Sequence, residues 1–253
     1  MSENLPRGVE LRPEGARIGF LLIHGFCGNP QDMVSLAEML RNHDIASFSV
    51  TLAGHSTTPE DLALNDEEAW YNSASEALDY VKSWGLSHVF VAGLSLGGLI
   101  TLDLSIRRPD MTGIVLLSPA IKFGGVLGKL VPIVRRAMPY RKVDLSYLTE
   151  LYDLPRTRYD REPLIAIERL LKYAKRIRKQ LRKVTVPTLI IQSGADKTVN
   201  PKGAVYAFNR ISSDIKELHM IAGAEHVITC HPARSQAYPL ILDFVKRLTG
   251  SSE

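Results

Sequence analysis

His88-Val89-Phe90-Val91-Ala92-Gly93-Leu94-Ser95-Leu96-Gly97-Gly98-Leu99-Ile100-Thr101-Leu102 decides the fold. An apolar run leads into Gly-x-Ser-x-Gly, and a helical pattern follows. Strand, sharp turn, helix is the context that makes this short pattern a nucleophile elbow. The turn strains the backbone at its centre, and small residues at Gly93 and Gly97 leave room for it. The serine oxygen is then held at the top of a sheet, at the positive end of the next helix. A serine in that position is a candidate nucleophile, but it needs a base.

Outward from the elbow, apolar runs alternate with helical patterns. Ile18-Gly19-Phe20-Leu21-Leu22-Ile23 reads as a strand buried on both faces. Asn29 and Pro30 then start a helix through Met33, Leu36, Ala37 and Leu40. Ile45 to Val50 is the next strand, leading into a loop at Leu52-Ala53-Gly54-His55-Ser56. Asp66 to Trp84 is helical, stopped by Gly85. After the elbow, Gly113 to Pro119 contains another buried strand. This order predicts a mostly parallel sheet with helices on both faces. The same pattern resumes with strands at Val186–Gln192 and Ile215–Ile221 and helices at Pro201–Ile211 and Ala233–Leu248.

Between Ala120 and Thr185 the strand-like runs disappear. This segment holds 17 of the 31 Lys and Arg but 6 of the 27 Asp and Glu. Its net charge of +11 faces −7 on the remainder, for a total of +4. The expected organisation is one α/β domain from 1–119 and 186–253, interrupted by a basic insertion at 120–185. Arg169 to Lys183 places Leu170, Tyr173, Ala174, Ile177 and Leu181 on one helical face, with positive charge elsewhere. A solvated helix explains that pattern. Peripheral contact with anionic lipid is the sharper reading.

The elbow's partners follow it in chain order. Asp196 lies in Gly194-Ala195-Asp196-Lys197-Thr198-Val199, just past one late strand. His226 lies in Gly223-Ala224-Glu225-His226-Val227, just past the next. Ser95, His226 and Asp196 then supply nucleophile, base and orienting acid for ester cleavage. The backbone N–H groups of Leu96 and Phe26 are the expected oxyanion donors. Glu225 is the alternative acid and His231 the rival histidine. His24 and His55 read as loop-fixing residues, and Cys27 as a small packing residue.

Leu22-Ile23-His24-Gly25-Phe26, Gly93-Leu94-Ser95-Leu96-Gly97-Gly98, the Asp196 stretch and His226-Val227-Ile228-Thr229 together resemble the α/β-hydrolase family. Within it, the chain is similar to small microbial carboxylesterases and monoacylglycerol lipases. The resemblance spans nearly the whole chain, and least the middle segment. It implies a helical cap inserted after the sixth core strand, here the segment 120–185. It also implies short- to medium-chain acyl esters, monoacylglycerols among them, as substrates. Phe123, Val126, Leu127, Leu130, Val131, Ile133 and Met138 either line an acyl pocket or pack the cap onto the core. One position departs from the pattern. Relatives often carry an acidic residue shortly after the histidine turn, where this chain has Cys230 and His231.

The remaining expectations are negative. Of the seven histidines, His24, His55, His219, His226 and His231 lack paired ligand spacing, so no metal is expected, and no organic cofactor. The modest total charge gives no reason to expect nucleic acid. Two cysteines make no disulfide framework, residues 1–8 show no leader pattern, and no apolar run reaches the ~18 residues of a membrane span. A cytoplasmic location is expected. Thioester hydrolysis, acyl transfer to an acceptor alcohol, and a non-catalytic acyl-ligand sensor are the alternatives on the same residues.

Overall fold

The structure, a computed structural model, describes residues 5–124 and 127–250, with backbone alone for 127–130. In chain order it begins with β1 (Gly8–Leu11), β2 (Ile18–Ile23), α1 (Val34–Arg41), β3 (Ala46–Val50), α2 (Pro59–Leu64) and α3 (Glu67–Ser83). The elbow joins β4 (His88–Leu94) to α4 (Leu96–Arg107), and β5 (Gly113–Leu117) follows. The inserted segment carries α5 (Leu127–Val134), β6 (Tyr140–Lys142), α6 (Tyr147–Leu151), β7 (Arg161–Pro163) and α7 (Leu164–Gln180). The core resumes with β8 (Thr188–Ser193), α8 (Lys202–Phe208), β9 (Lys216–Ile221) and α9 (Arg234–Thr249).

Seven strands form one sheet in the order β1-β3-β2-β4-β5-β8-β9. All neighbours are parallel except β1, which pairs antiparallel with β3 at the edge. The strand order reverses between β2 and β4. The carboxyl edge at such a switch point is the usual place for a ligand crevice in sheets of this kind. Alternate residues of each strand face opposite cores. Leu21 and Ile23 pack with α3, α4 and α7, whereas Phe20 and Leu22 pack with α1 and α9.

Local signals account for most boundaries. Asn29 caps the turn at Pro30–Met33 that leads into α1, its side chain accepting from the Gln31 N–H. Asp66 caps α3 by accepting from Glu68 and Ala69. Gly85, with φ of +70°, follows the end of that helix. On α7, the expected face of Leu170, Tyr173, Ala174 and Ile177 is buried, and Leu181 just beyond it as well.

The insertion differs from expectation in three respects. It follows the fifth strand in chain order among the described residues, where the sixth was expected. It contains the two-stranded antiparallel ribbon β6–β7, although no strand was legible there. These strands are three residues long and two-thirds charged, so no periodicity betrays them. Finally, the proposed apolar lining divides. Val131 is buried and Phe123 packs against the core, but Ile133 and Met138 are 69% and 56% exposed. Val126 lies outside the described residues, and Leu127 and Leu130 outside the described side chains. The edge strand β1 and the helix α2 were not read from the sequence either, being only four and six residues long.

Candidate active site

Ser95 sits between β4 and α4 with φ of +57° and ψ of −109°, a conformation costly for a residue with a side chain. The surroundings leave no alternative. Its N–H donates to the Leu117 carbonyl (2.9 Å), and its own carbonyl accepts from Gly98 and Ala120 (3.0 and 3.1 Å). A Cβ on Gly97 would stand 2.2 Å from the Ile23 carbonyl oxygen, and one on Gly93 would stand 2.2 Å from that of Gly97. Only glycine permits these backbone approaches. The turn is therefore clamped between β2 and β5, and Ser95 is 8% exposed.

Asp196 and His226 arrive on the loops after β8 and β9, at the same carboxyl edge. Backbone bonds stitch these loops together: Gly194 N–H to Ile221 O (2.8 Å) and Ala195 N–H to Ala224 O (3.0 Å). The side chains meet as a result, with His226 Nδ1 2.7 Å from Asp196 Oδ2. A carboxylate there accepts, so Nδ1 carries the proton and Nε2 is the ring nitrogen left for chemistry. Asp196 Oδ1 takes the N–H groups of Thr198 and Val199, both at 2.9 Å. Gln192 Nε2 adds a further donor to Oδ2 at 3.2 Å. Four donors converge on this one carboxylate and fix its orientation. Gln192 was missed in the sequence, although it is the one long polar side chain in an otherwise apolar strand.

The two rivals are placed differently. The Nδ1 of His231 accepts from the Ala233 N–H at 3.1 Å, next to the start of α9. Glu225 makes no hydrogen bond to His226, whose Nδ1 is already occupied by Asp196.

The loop after β2 lies against the elbow, since a Cβ on Gly25 would be 3.4 Å from the Ser95 Cβ. His24 is fully buried at its base. Nδ1 donates to the Gly25 carbonyl (2.9 Å), and Nε2 accepts from the Leu52 N–H (3.3 Å). Burial lowers its pKa to about 4, so the ring is neutral and braces the loop. His55 packs edge-on to it at 5.0 Å, and burial lowers its pKa to about 3. Burial pushes the Cys27 thiol far up, with Glu162 adding to the effect, so it is no nucleophile at neutral pH. The N–H groups of Phe26 and Leu96 have no hydrogen-bond partner among the described residues. Among those residues, no cluster of three His, Cys, Asp or Glu is placed to hold a metal ion, and no helix is long and apolar enough to cross a membrane.

A mostly parallel sheet that carries a strained serine turn and an Asp-His pair on loops at the same carboxyl edge defines an α/β-hydrolase of the serine type. Comparison with known proteins narrows this class. The family model described as "Serine aminopeptidase, S33" matches residues 16–232, and the chain belongs to that family. A thermostable monoacylglycerol lipase from Bacillus sp. (strain H-257) is 30% identical over 99% of this chain and 100% of its own length. A carboxylesterase from Bacillus subtilis (strain 168) is 26% identical over 93% of this chain and 95% of its own. Among solved structures, one from work on the metagenome-derived lipolytic enzymes LipS and LipT superposes with a TM-score of 0.86. It is 27% identical and covers 94% of this chain and 97% of that one.

Proposed function

We propose that this lipase- and esterase-type hydrolase cleaves carboxylic esters through an acyl-enzyme. Ser95 Oγ attacks the ester carbonyl while His226 Nε2 takes its proton. Asp196 holds the imidazole and stabilises its charged form. The oxyanion falls between the N–H groups of Phe26 and Leu96. The imidazolium then protonates the leaving alcohol, and the acyl group stays on Ser95. Water, deprotonated by His226, cleaves that acyl-enzyme and releases the acid. The 2.7 Å Asp196–His226 bond, at the sheet edge that carries the strained Ser95, supports this reading most directly.

Short- to medium-chain acyl esters are the proposed substrates, monoacylglycerols included. The bacterial monoacylglycerol lipase and carboxylesterase relatives support that range. The inserted segment 120–185 is the proposed cap over the crevice. Its outer surface is the proposed contact with anionic lipid. Lys172, Lys175, Lys179, Arg182 and Lys183 are exposed along and just beyond α7, and Ile133 and Met138 project from the neighbouring stretch. A cytoplasmic location belongs to the same proposal, supported by two buried cysteines that remain free.

The experiment is a p-nitrophenyl ester chain-length series run beside a monoacylglycerol. Turnover that disappears in Ser95→Ala and after a serine-directed phosphonate is the expected result. Binding of an acyl ligand without Ser95-dependent turnover would instead identify a sensor. Faster release from thioesters, or transfer to an acceptor alcohol, would redirect the assignment. For the lipid contact, co-sedimentation with phosphatidylglycerol vesicles should exceed that with phosphatidylcholine and weaken with salt. Equal binding to both would remove the lipid contact from the proposal.

A further inference from the structure

Residues 152–159 of the insertion form an irregular strap across the carboxyl edge of the sheet. At one end, the Tyr152 hydroxyl accepts from the Val227 N–H (3.4 Å), the Leu154 N–H donates to Cys230 O (3.4 Å), and Asp153 pairs with Arg234 (2.6 Å). The first two contacts touch the histidine turn, and the ion pair reaches the start of α9 beyond it. At the other end, Asn29 Nδ2 donates to the Thr157 carbonyl (2.9 Å), and the Tyr159 hydroxyl donates to the Gly54 carbonyl (2.9 Å). Between them lies one buried ion pair. Arg156 Nε reaches Asp32 Oδ1 at 2.9 Å and its terminal nitrogen reaches Oδ2 at 3.2 Å. The two side chains are 6% and 1% exposed, and the guanidinium stacks over Tyr152 at 4.6 Å.

Asp32 is the junction of the site's scaffolding. Its N–H donates to Asn29 O (3.1 Å), and its carbonyl accepts from Thr229 Oγ1 (2.5 Å), three residues past His226. Its carboxylate lies so close to Gly28 that a Cβ there would be 2.4 Å from Oδ2. Gly28 in turn donates to Gly25 O (3.0 Å), closing the turn that contains Phe26. Cys230 Sγ lies 3.7 Å from the Asp32 carbonyl and 4.0 Å from Oδ1. An acid thus stands beside the histidine turn after all, supplied by the loop after β2.

A buried pair of this kind returns little net stability, because desolvation offsets its attraction; its bidentate fork instead selects one geometry. We infer that Arg156 is a positioning residue for the reaction at Ser95, fixing through Asp32 the loop that presents the Phe26 N–H to the oxyanion. The inference rests on the proposed roles of Ser95 and Phe26. Displacing an oxyanion donor weakens transition-state binding more than ground-state binding.

The test compares Arg156→Met and Arg156→Lys with Arg234→Gln, which loosens the same strap away from the loop. Arg156→Met should lower kcat about 100-fold with KM within about twofold, the scale of a small misplacement of a catalytic group. Affinity for an acyl trifluoromethyl ketone, whose serine adduct carries the oxyanion, should fall by the same factor. Millimolar guanidinium should restore part of the rate. Arg156→Lys keeps the charge without the fork and should lose about tenfold; it carries the test if Arg156→Met does not fold. Arg234→Gln should keep full kcat. Unchanged kcat in the Arg156 variants, an equal loss in Arg234→Gln, or unchanged ketone affinity would each overturn the inference. Failure of the underlying site reading is separable, because Ser95→Ala would then remain active.

Discussion

The elbow and the insertion are held by opposite kinds of force. At the elbow, backbone lies directly on backbone. Gly93 and Gly97 admit neighbouring carbonyls where any side chain would collide, and Ser95 is pinned by main-chain bonds to β5 and the loop after it. The insertion packs the apolar face of α7 into the core and is otherwise fastened by charged side chains reaching core acceptors. Arg156 meets Asp32, Arg176 meets Asp103, Arg161 meets Glu60, and Arg169 donates to the carbonyls of Ala63 and Asn65. Part of the segment's positive charge is therefore fastening, and the rest is exposed. Backbone contacts are short-ranged, insensitive to salt and intolerant of substitution. Charged contacts are adjustable, and a second arginine geometry costs less than a second fold.

Several substitutions would break or sharpen this contrast. Ser95→Ala should remove activity by about 10⁶-fold, as for an unpaired triad nucleophile elsewhere. Its circular dichroism and melting temperature should stay near those of the parent, because the backbone holds the turn. Asp196→Asn should cost about 10⁴-fold in kcat, while Glu225→Gln should stay within twofold; a larger loss for Glu225→Gln would reverse the acid assignment.

Gly97→Ala should destabilise by about 3 kcal/mol or more, since the new Cβ meets main chain that cannot move aside. A tolerated Gly97→Ala, in a denaturant melt, would show that the elbow is softer than its contacts indicate.

Acid should separate the two regions. His24 takes up a proton with a pKa near 6.5 when unfolded but only near 4 when folded. The unfolded state therefore binds more protons between these values, and stability falls as pH drops from about 6.5 to 4. At about 1.4 kcal/mol per unit, His24 alone accounts for roughly 3 kcal/mol, and His55 acts in the same direction. Glu168 on the insertion is held below its usual range, first by a hydrogen bond from Lys172, against the effect of burial, so its contribution is lost only once the pH falls into the carboxylate range. Melting curves from pH 7 to about 5 should track the histidines, and substituting Glu168 should leave their slope unchanged there.

The smallest effect concerns the exposed fastenings. Arg161→Gln, which breaks the half-exposed pair with Glu60, should cost under about 1 kcal/mol and vanish in 1 M salt. Hydrogen exchange across 140–163 should quicken modestly with salt, while that of β4 and α4 should not change.

Much of the fold and the three side chains of the candidate site were legible in the chain because their causes are local. Apolar runs four to seven residues long mark the buried strands, and Asn29, Asp66 and Gly85 mark helix ends by their own side chains or lack of one. Ser95, Asp196 and His226 each follow a strand directly, so a parallel sheet brings them to one edge without further information. The strands β6 and β7 escaped because three half-exposed residues carry no period. Gln192 offered a faint signal in its polarity. Arg156 and Asp32 offered none.

The sequence by itself made the strained turn legible, because its glycines permit close backbone approaches that no other residue allows. It also determined the parallel order and the side of the sheet on which the chemistry stands. Only the tertiary structure decided which arginine meets which carboxylate. Arg156 and Asp32 are 124 positions apart, and the insertion is rich in arginines of equal charge. Charge acts alike on all of them. Selection among them comes from burial and fork geometry, which exist only once the strap lies across the folded sheet.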